Sequence, residues 1–139
     1  MDNPLLWFLV GILVVGVLLV VVIMLTKKGH VQLDVNKYRM SWMKIEQALS
    51  RDEPSSHLLC ILNADKLLDQ ALRERGVVGE TMGERMKQLQ TTWSNANAIW
   101  SAHKLRNQIA HEHDAKVSYD DTRRALAAFK QALKDIGAI

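Results

Sequence analysis

The sequence predicts an all-α protein: a single N-terminal transmembrane helix followed by a cytoplasmic antiparallel helical bundle of four main helices plus a short one. Three observations lead there. An uncharged run opens the chain, later apolar residues recur at helical spacing without strand-like alternation, and both prolines stand at element starts. A chain of 139 residues has room for one such domain beside the membrane segment.

The first element is "LLWFLVGILVVGVLLVVVIML", residues 5–25, which holds no charged side chain. At about 1.5 Å per residue its length matches a hydrocarbon core of roughly 30 Å. A cleaved signal peptide would carry positive charge ahead of a shorter apolar run and small residues at its exit. Here Asp2 precedes the run and Thr26, Lys27 and Lys28 follow it, so residues 1–26 read as a retained membrane anchor. All the lysines and arginines come after it, and the positive-inside rule places the remainder in the cytoplasm of a single-pass protein of the cell membrane. With no ionisable group in the span, nothing there suggests transport.

Residues 27–34 read as a juxtamembrane tether and 35–139 as the helical domain. Asp34 caps a helix running to about Arg51, which carries Tyr38, Met40, Trp42, Ile45 and Leu49. Asp52, Glu53 and Pro54 open the next, with acids and a proline at its first turn. Its apolar face is drawn from Leu58, Leu59, Ile61, Leu62, Leu67, Leu68 and Leu72, and Gly76 ends it. A short helix follows over about 82–92. Another starts at Asn95 or Asn97 and turns Ile99, Trp100, Leu105 and Ile109 inward. Ser118 and Asp121 resemble a capping box for the last helix, which carries Leu126, Phe129, Leu133 and Ile136 and ends at Gly137. Trp42, Trp93 and Trp100 fall in or beside the core.

Charge and cysteine usage narrow the function classes. From Lys27 onward, 18 basic residues stand against 14 acidic ones, a net of +4 that permits RNA or anionic lipid as a partner. The single Cys60 excludes an internal disulfide framework and suits a small core residue in a reducing compartment. Gly76, Gly79 and Gly83 lack the strand before and the Lys-Ser/Thr after that a phosphate loop needs, so no cofactor site is predicted.

The chemistry concentrates in "AHKLRNQIAHEHDA", residues 102–115. Residues four apart share a helix face, so His103, Asn107 and His111 form one stripe, with Arg106 beside it. Arg106 lies about 140° from His111 on an ideal helix, within swing of its long side chain. Three readings compete. His111 and His113 can simply favour a helix C-terminus, with Arg106 paired to Asp65, Asp69 or Glu112. A metal site fits poorly, because His111 and His113 do not share a face and no ligand set completes them. Phosphoryl chemistry fits the residue types: an imidazole moves protons near neutral pH and a guanidinium neutralises a phosphate.

"RNQIAH", residues 106–111, resembles the R-x(4–6)-H signature of HEPN domains, often with Asn directly after the Arg, as Asn107 is here. "IWSAHKLRNQIAHE" and the upstream "ADKLLDQALRERGVVGETMGERMK" look like bacterial membrane-anchored members, and the resemblance covers roughly residues 35–137. It implies an up-and-down bundle of four main helices that pairs as a homodimer, with the Arg and His of each protomer lining a cleft at the interface. Many members are metal-independent endoribonucleases; others bind or scaffold. By position, Arg106 would contact the scissile phosphate, His111 would move protons, Asn107 would orient either, and His103, outside the signature, would support them. A ribonuclease held at a membrane would have to be gated. The alternative is a non-catalytic dimerising adaptor, or a subunit of a membrane-associated complex with a partner protein of unknown identity.

Overall fold

A computed structural model describes residues 3–26 and 31–139, which divide into two compact units, Met1–His30 and Val31–Ile139. Among the described residues every regular element is a helix.

The first unit is helix α1, Pro4–Thr26, started by the Asn3 carbonyl accepting from the Leu6 N–H at 2.9 Å. It is apolar on every side, and its span from Pro4 to Leu25 is long and apolar enough to cross a membrane, with none of it buried against protein. Water is a poor solvent for such a surface, and hydrocarbon is a good one. The Lys27–Lys28 pair and the first half of the predicted tether lie outside the described residues. The second half is not a free tether, because Leu33 is 7% exposed and belongs to the core.

The second unit is a helical bundle: α2 (Val35–Ala48), α3 (Pro54–Glu74), α4 (Met82–Gln88), α5 (Ala96–His111) and α6 (Tyr119–Asp135). Asp34 caps α2 by accepting from the Lys37 N–H at 3.1 Å. Its apolar face buries Tyr38, Trp42 and Ile45. The helix stops at Ala48, three residues before the predicted end, because Leu49 turns to extended backbone. That turn frees the Ser50 main chain to bond Ser56 and His57 of α3.

α3 is the central element, in contact with α2, α4, α5 and α6. It buries Cys60, Ile61, Ala64, Leu67, Leu68, Ala71 and Leu72. Leu59 corrects the predicted face: two residues from Ile61, it lies about 200° round the helix and is 54% exposed. The helix ends on Gly76, whose φ of 80° lets the Val77 N–H reach back to the Leu72 carbonyl at 3.0 Å.

α4 begins with a capping box, Thr81 accepting from the Glu84 N–H while the Glu84 carboxylate accepts from Thr81. It is shorter than predicted, since residues 89–92 form turns instead. Arg85 pins it to α3, donating from Nε and Nη2 to Asp69 Oδ1 at 2.9 and 2.6 Å and from Nη1 to the Gly79 carbonyl. Only glycine fits at 79, because a Cβ there would lie 2.8 Å from the Arg85 backbone nitrogen. α5 is capped by Asn95, which accepts from Ala98, and buries Ile99, Ala102 and Ile109; Leu105 and Trp100 are only half-buried. α6 is capped by Ser118 and buries Leu126, Phe129 and Leu133, with Ile136 and Ala138 closing the core behind it.

Candidate functional site

α5 crosses α3 so that its polar stripe meets Asp65, a carboxylate 4% exposed in the apolar surroundings of Ala64 and Leu68. A buried carboxylate needs partners, and α5 supplies two. His103 Nδ1 lies 2.8 Å from Asp65 Oδ1, and Arg106 Nε lies 3.1 Å from Asp65 Oδ2. The Arg106 contact is an ion pair without hydrogen-bond alignment, since the buried Nε has no aligned acceptor.

Asn107 closes the network. Its Oδ1 accepts from Arg106 Nη1 at 3.0 Å, and its Nδ2 stands 3.3 Å from His103 Nε2. With the amide donating to Nε2, the imidazole carries its hydrogen on Nδ1 and gives it to Asp65. The four side chains therefore fix one another, so Arg106, 37% exposed, has a defined orientation despite its length.

These residues form one wall of an open cleft of about 680 Å³ between α3, α4 and the C-terminal half of α5. His111 lines the same cleft, exposed and without a hydrogen bond or ion pair among the described residues. Opposite stand Lys66, Asp69, Arg73, Gly83 and Arg85. Asp69 is occupied by Arg85 and, at 2.9 Å, by Arg73. Lys66 and Glu80 are exposed and without an ion pair among the described residues, so the cleft carries free charge of both signs, and the half-exposed Arg106 guanidinium leaves its lining with a small positive excess.

Four of the residues singled out in the sequence thus share this cleft, in an unequal arrangement. His103 and Asn107 meet as the four-residue spacing requires. Arg106 turns to Asp65 rather than to His111, because a buried carboxylate on α3 outcompetes an exposed imidazole five residues along the same helix. His113 has no place in the cleft, and Glu112 bonds Gln108 at 3.3 Å instead of Arg106. Sequence reasoning missed Arg85, Lys66 and Gly83. A lone arginine on a seven-residue helix gives no periodic signal, and its role depends on a carboxylate sixteen residues away.

No family model matches the chain, and no curated protein or solved structure matches it significantly. The chemical reading of the cleft therefore rests on its own geometry and on the motif.

Proposed function

We propose that this is a single-pass membrane protein whose cytoplasmic, HEPN-like bundle pairs as a homodimer and binds RNA through its phosphates, with Arg106 and His111 as the pair that acts. One observation carries the reading: Arg106, Asn107 and His111 line one open cleft, and the guanidinium is held by Asn107 and Asp65 while part of it faces solvent. A pre-oriented guanidinium is suited to phosphate oxygens, because little side-chain freedom remains to be lost on binding.

In cleavage, an exposed imidazole takes the proton of an RNA 2′-hydroxyl. The 2′-oxygen bonds to phosphorus as the bond to the 5′-oxygen breaks, and the leaving oxygen receives a proton. Arg106 neutralises the charge that gathers on the non-bridging oxygens. A second protomer across a two-fold axis would supply the second imidazole that this exchange calls for. The products are a 2′,3′-cyclic phosphate and a 5′-hydroxyl, with no metal involved.

A second reading, the non-catalytic adaptor, is favoured by one contact: Arg106 is already paired with Asp65 within one protomer. Incubating the full chain in detergent micelles with labelled mixed-sequence RNA in EDTA decides between the two. Cleavage to cyclic-phosphate ends, reduced about 100-fold or more in both Arg106→Ala and His111→Ala, is expected for the nuclease. Binding without cleavage, weakened by Arg106→Ala, leaves an RNA-binding module. Neither binding nor cleavage by folded, dimeric protein establishes the adaptor.

A further inference from the structure

The polar stripe of α5 borders a second open space. Asn97, Trp100, Ser101, His103, Lys104 and Asn107 line a trough of about 540 Å³, and His103 and Asn107 are shared with the cleft. Trp42 and Trp93 are 3% and 7% exposed, whereas Trp100 is half-buried. Partial exposure alone is ordinary for so large a side chain. The location of this indole is what distinguishes it.

Its orientation is fixed. Nε1 donates to Gln90 Oε1 at 2.9 Å, and the ring meets the His103 imidazole edge-on, centroids 6.2 Å apart at 76°. Gly83 of α4 stands close by: a Cβ added there would be in contact with Trp100 Cζ3 at 3.8 Å and with His103 Nε2 at 3.9 Å. That edge of the indole is therefore covered by α4, and the part of the ring left open is the part that lines the trough.

We infer that Trp100 is a stacking platform for one nucleobase of a single-stranded RNA whose adjacent phosphate lies at Arg106 and His111. Asn97 and Lys104 flank the platform with hydrogen-bonding groups for a base edge. Duplex bases are already stacked on one another, so a platform of this kind selects unpaired nucleotides. The inference rests on the reading of the cleft as a phosphate site and adds the class of substrate and a residue that recognises it.

The test compares two fluorescent ligands of equal charge on the full chain in detergent micelles: an eight-nucleotide unstructured RNA and the same ribose-phosphate chain without bases. Wild type should bind the base-bearing ligand more tightly. Trp100→Ala should weaken that ligand by about 10-fold, within the range of stacking on one aromatic side chain, and leave the abasic ligand unchanged. Trp100→Phe should keep most of the difference. Trp100→Phe, which keeps an aromatic ring, makes the test valid should Trp100→Ala fail to fold. Equal affinity of wild type for the two ligands, or parallel loss of both in Trp100→Phe, overturns the stacking seat. Arg106-dependent binding of the abasic chain would then leave the phosphate site standing. Binding of neither ligand removes both readings together.

Discussion

Asp65 on α3 accepts from His103 Nδ1 at 2.8 Å, and its other oxygen lies 3.1 Å from Arg106 Nε. One buried carboxylate thus orients two residues of the cleft and competes with any phosphate for the guanidinium. Asp65→Asn removes the charge while keeping the shape. Its expected stability loss is about 2 kcal/mol, at the modest end for a charged hydrogen bond because Arg106 retains solvent contact. If Arg106 binds RNA phosphate, the same variant should hold RNA at least as tightly as wild type, since the competing anion is gone. Urea midpoints and RNA titrations on the full chain read the two effects separately. Loss of RNA binding in a folded Asp65→Asn protein would mean that Asp65 is needed to present Arg106.

Arg85 has a different standing, because its side chain is only 5% exposed and is fully committed to Asp69 and the Gly79 carbonyl. Its removal leaves the Gly79 carbonyl without that donor and Asp69, 18% exposed, with Arg73 alone. Arg85→Leu is expected to cost about 2 kcal/mol and to loosen α4 from α3. Hydrogen exchange should show the amides of α4 and the 76–81 connection losing protection first, with α6 least affected. Uniform loss of protection across the bundle would contradict this local role.

The helices were legible because each carries local punctuation: Asp34, Pro54, Asn95 and Ser118 at starts, Gly76 and Gly137 at ends. Capping depends on a few neighbouring residues, so spacing suffices to find it. The stripe of His103 and Asn107 was legible for the same reason, being a property of one helix. The target of Arg106 was not. Three acids were within plausible reach in the sequence, and only the crossing of α5 over α3 selects Asp65. The cleft's far wall, with Lys66, Gly83 and Arg85, comes from α3 and α4, and no one-helix pattern announces a surface made by three helices.

Acid should weaken the contact between α2 and the end of α3. Lys37 Nζ donates to Glu74 at 2.8 Å, and Gln70 donates to the same carboxylate at 3.1 Å. Lys37 first, then the nearby Tyr38 hydroxyl and Gln70, hold Glu74 down to about 2 from its ordinary 4.5. A depressed carboxyl contributes stability that is full above its unfolded value and is lost as pH falls through its folded value. The urea midpoint of wild type should therefore exceed that of Glu74→Gln at pH 6, with the gap narrowing between about 4.5 and 2. A gap that stays constant over that range would assign the effect to packing rather than charge.

His57 ties three segments together at the opposite end of α3 from Gly76. Nε2 lies 2.8 Å from the Ser50 carbonyl, after α2, and Nδ1 lies 3.0 Å from the Val117 carbonyl, ahead of α6. The ring is 4% exposed, and Tyr119 packs beside it at 5.7 Å between centroids. A neutral imidazole has one N–H and serves one carbonyl, whereas the protonated ring serves both. His57→Phe preserves bulk and removes both nitrogens; the Val117 carbonyl loses the imidazole, while the Ser50 carbonyl keeps the Ser56 hydroxyl. The expected cost is about 1–3 kcal/mol, the loss of the buried hydrogen bonding partly offset by the apolar ring. His57→Gln can restore one donor and should recover part of that loss. Equal destabilisation by Phe and Gln in urea titrations would show that the shape of the imidazole, rather than its hydrogen bonds, holds α2, α3 and the start of α6 together.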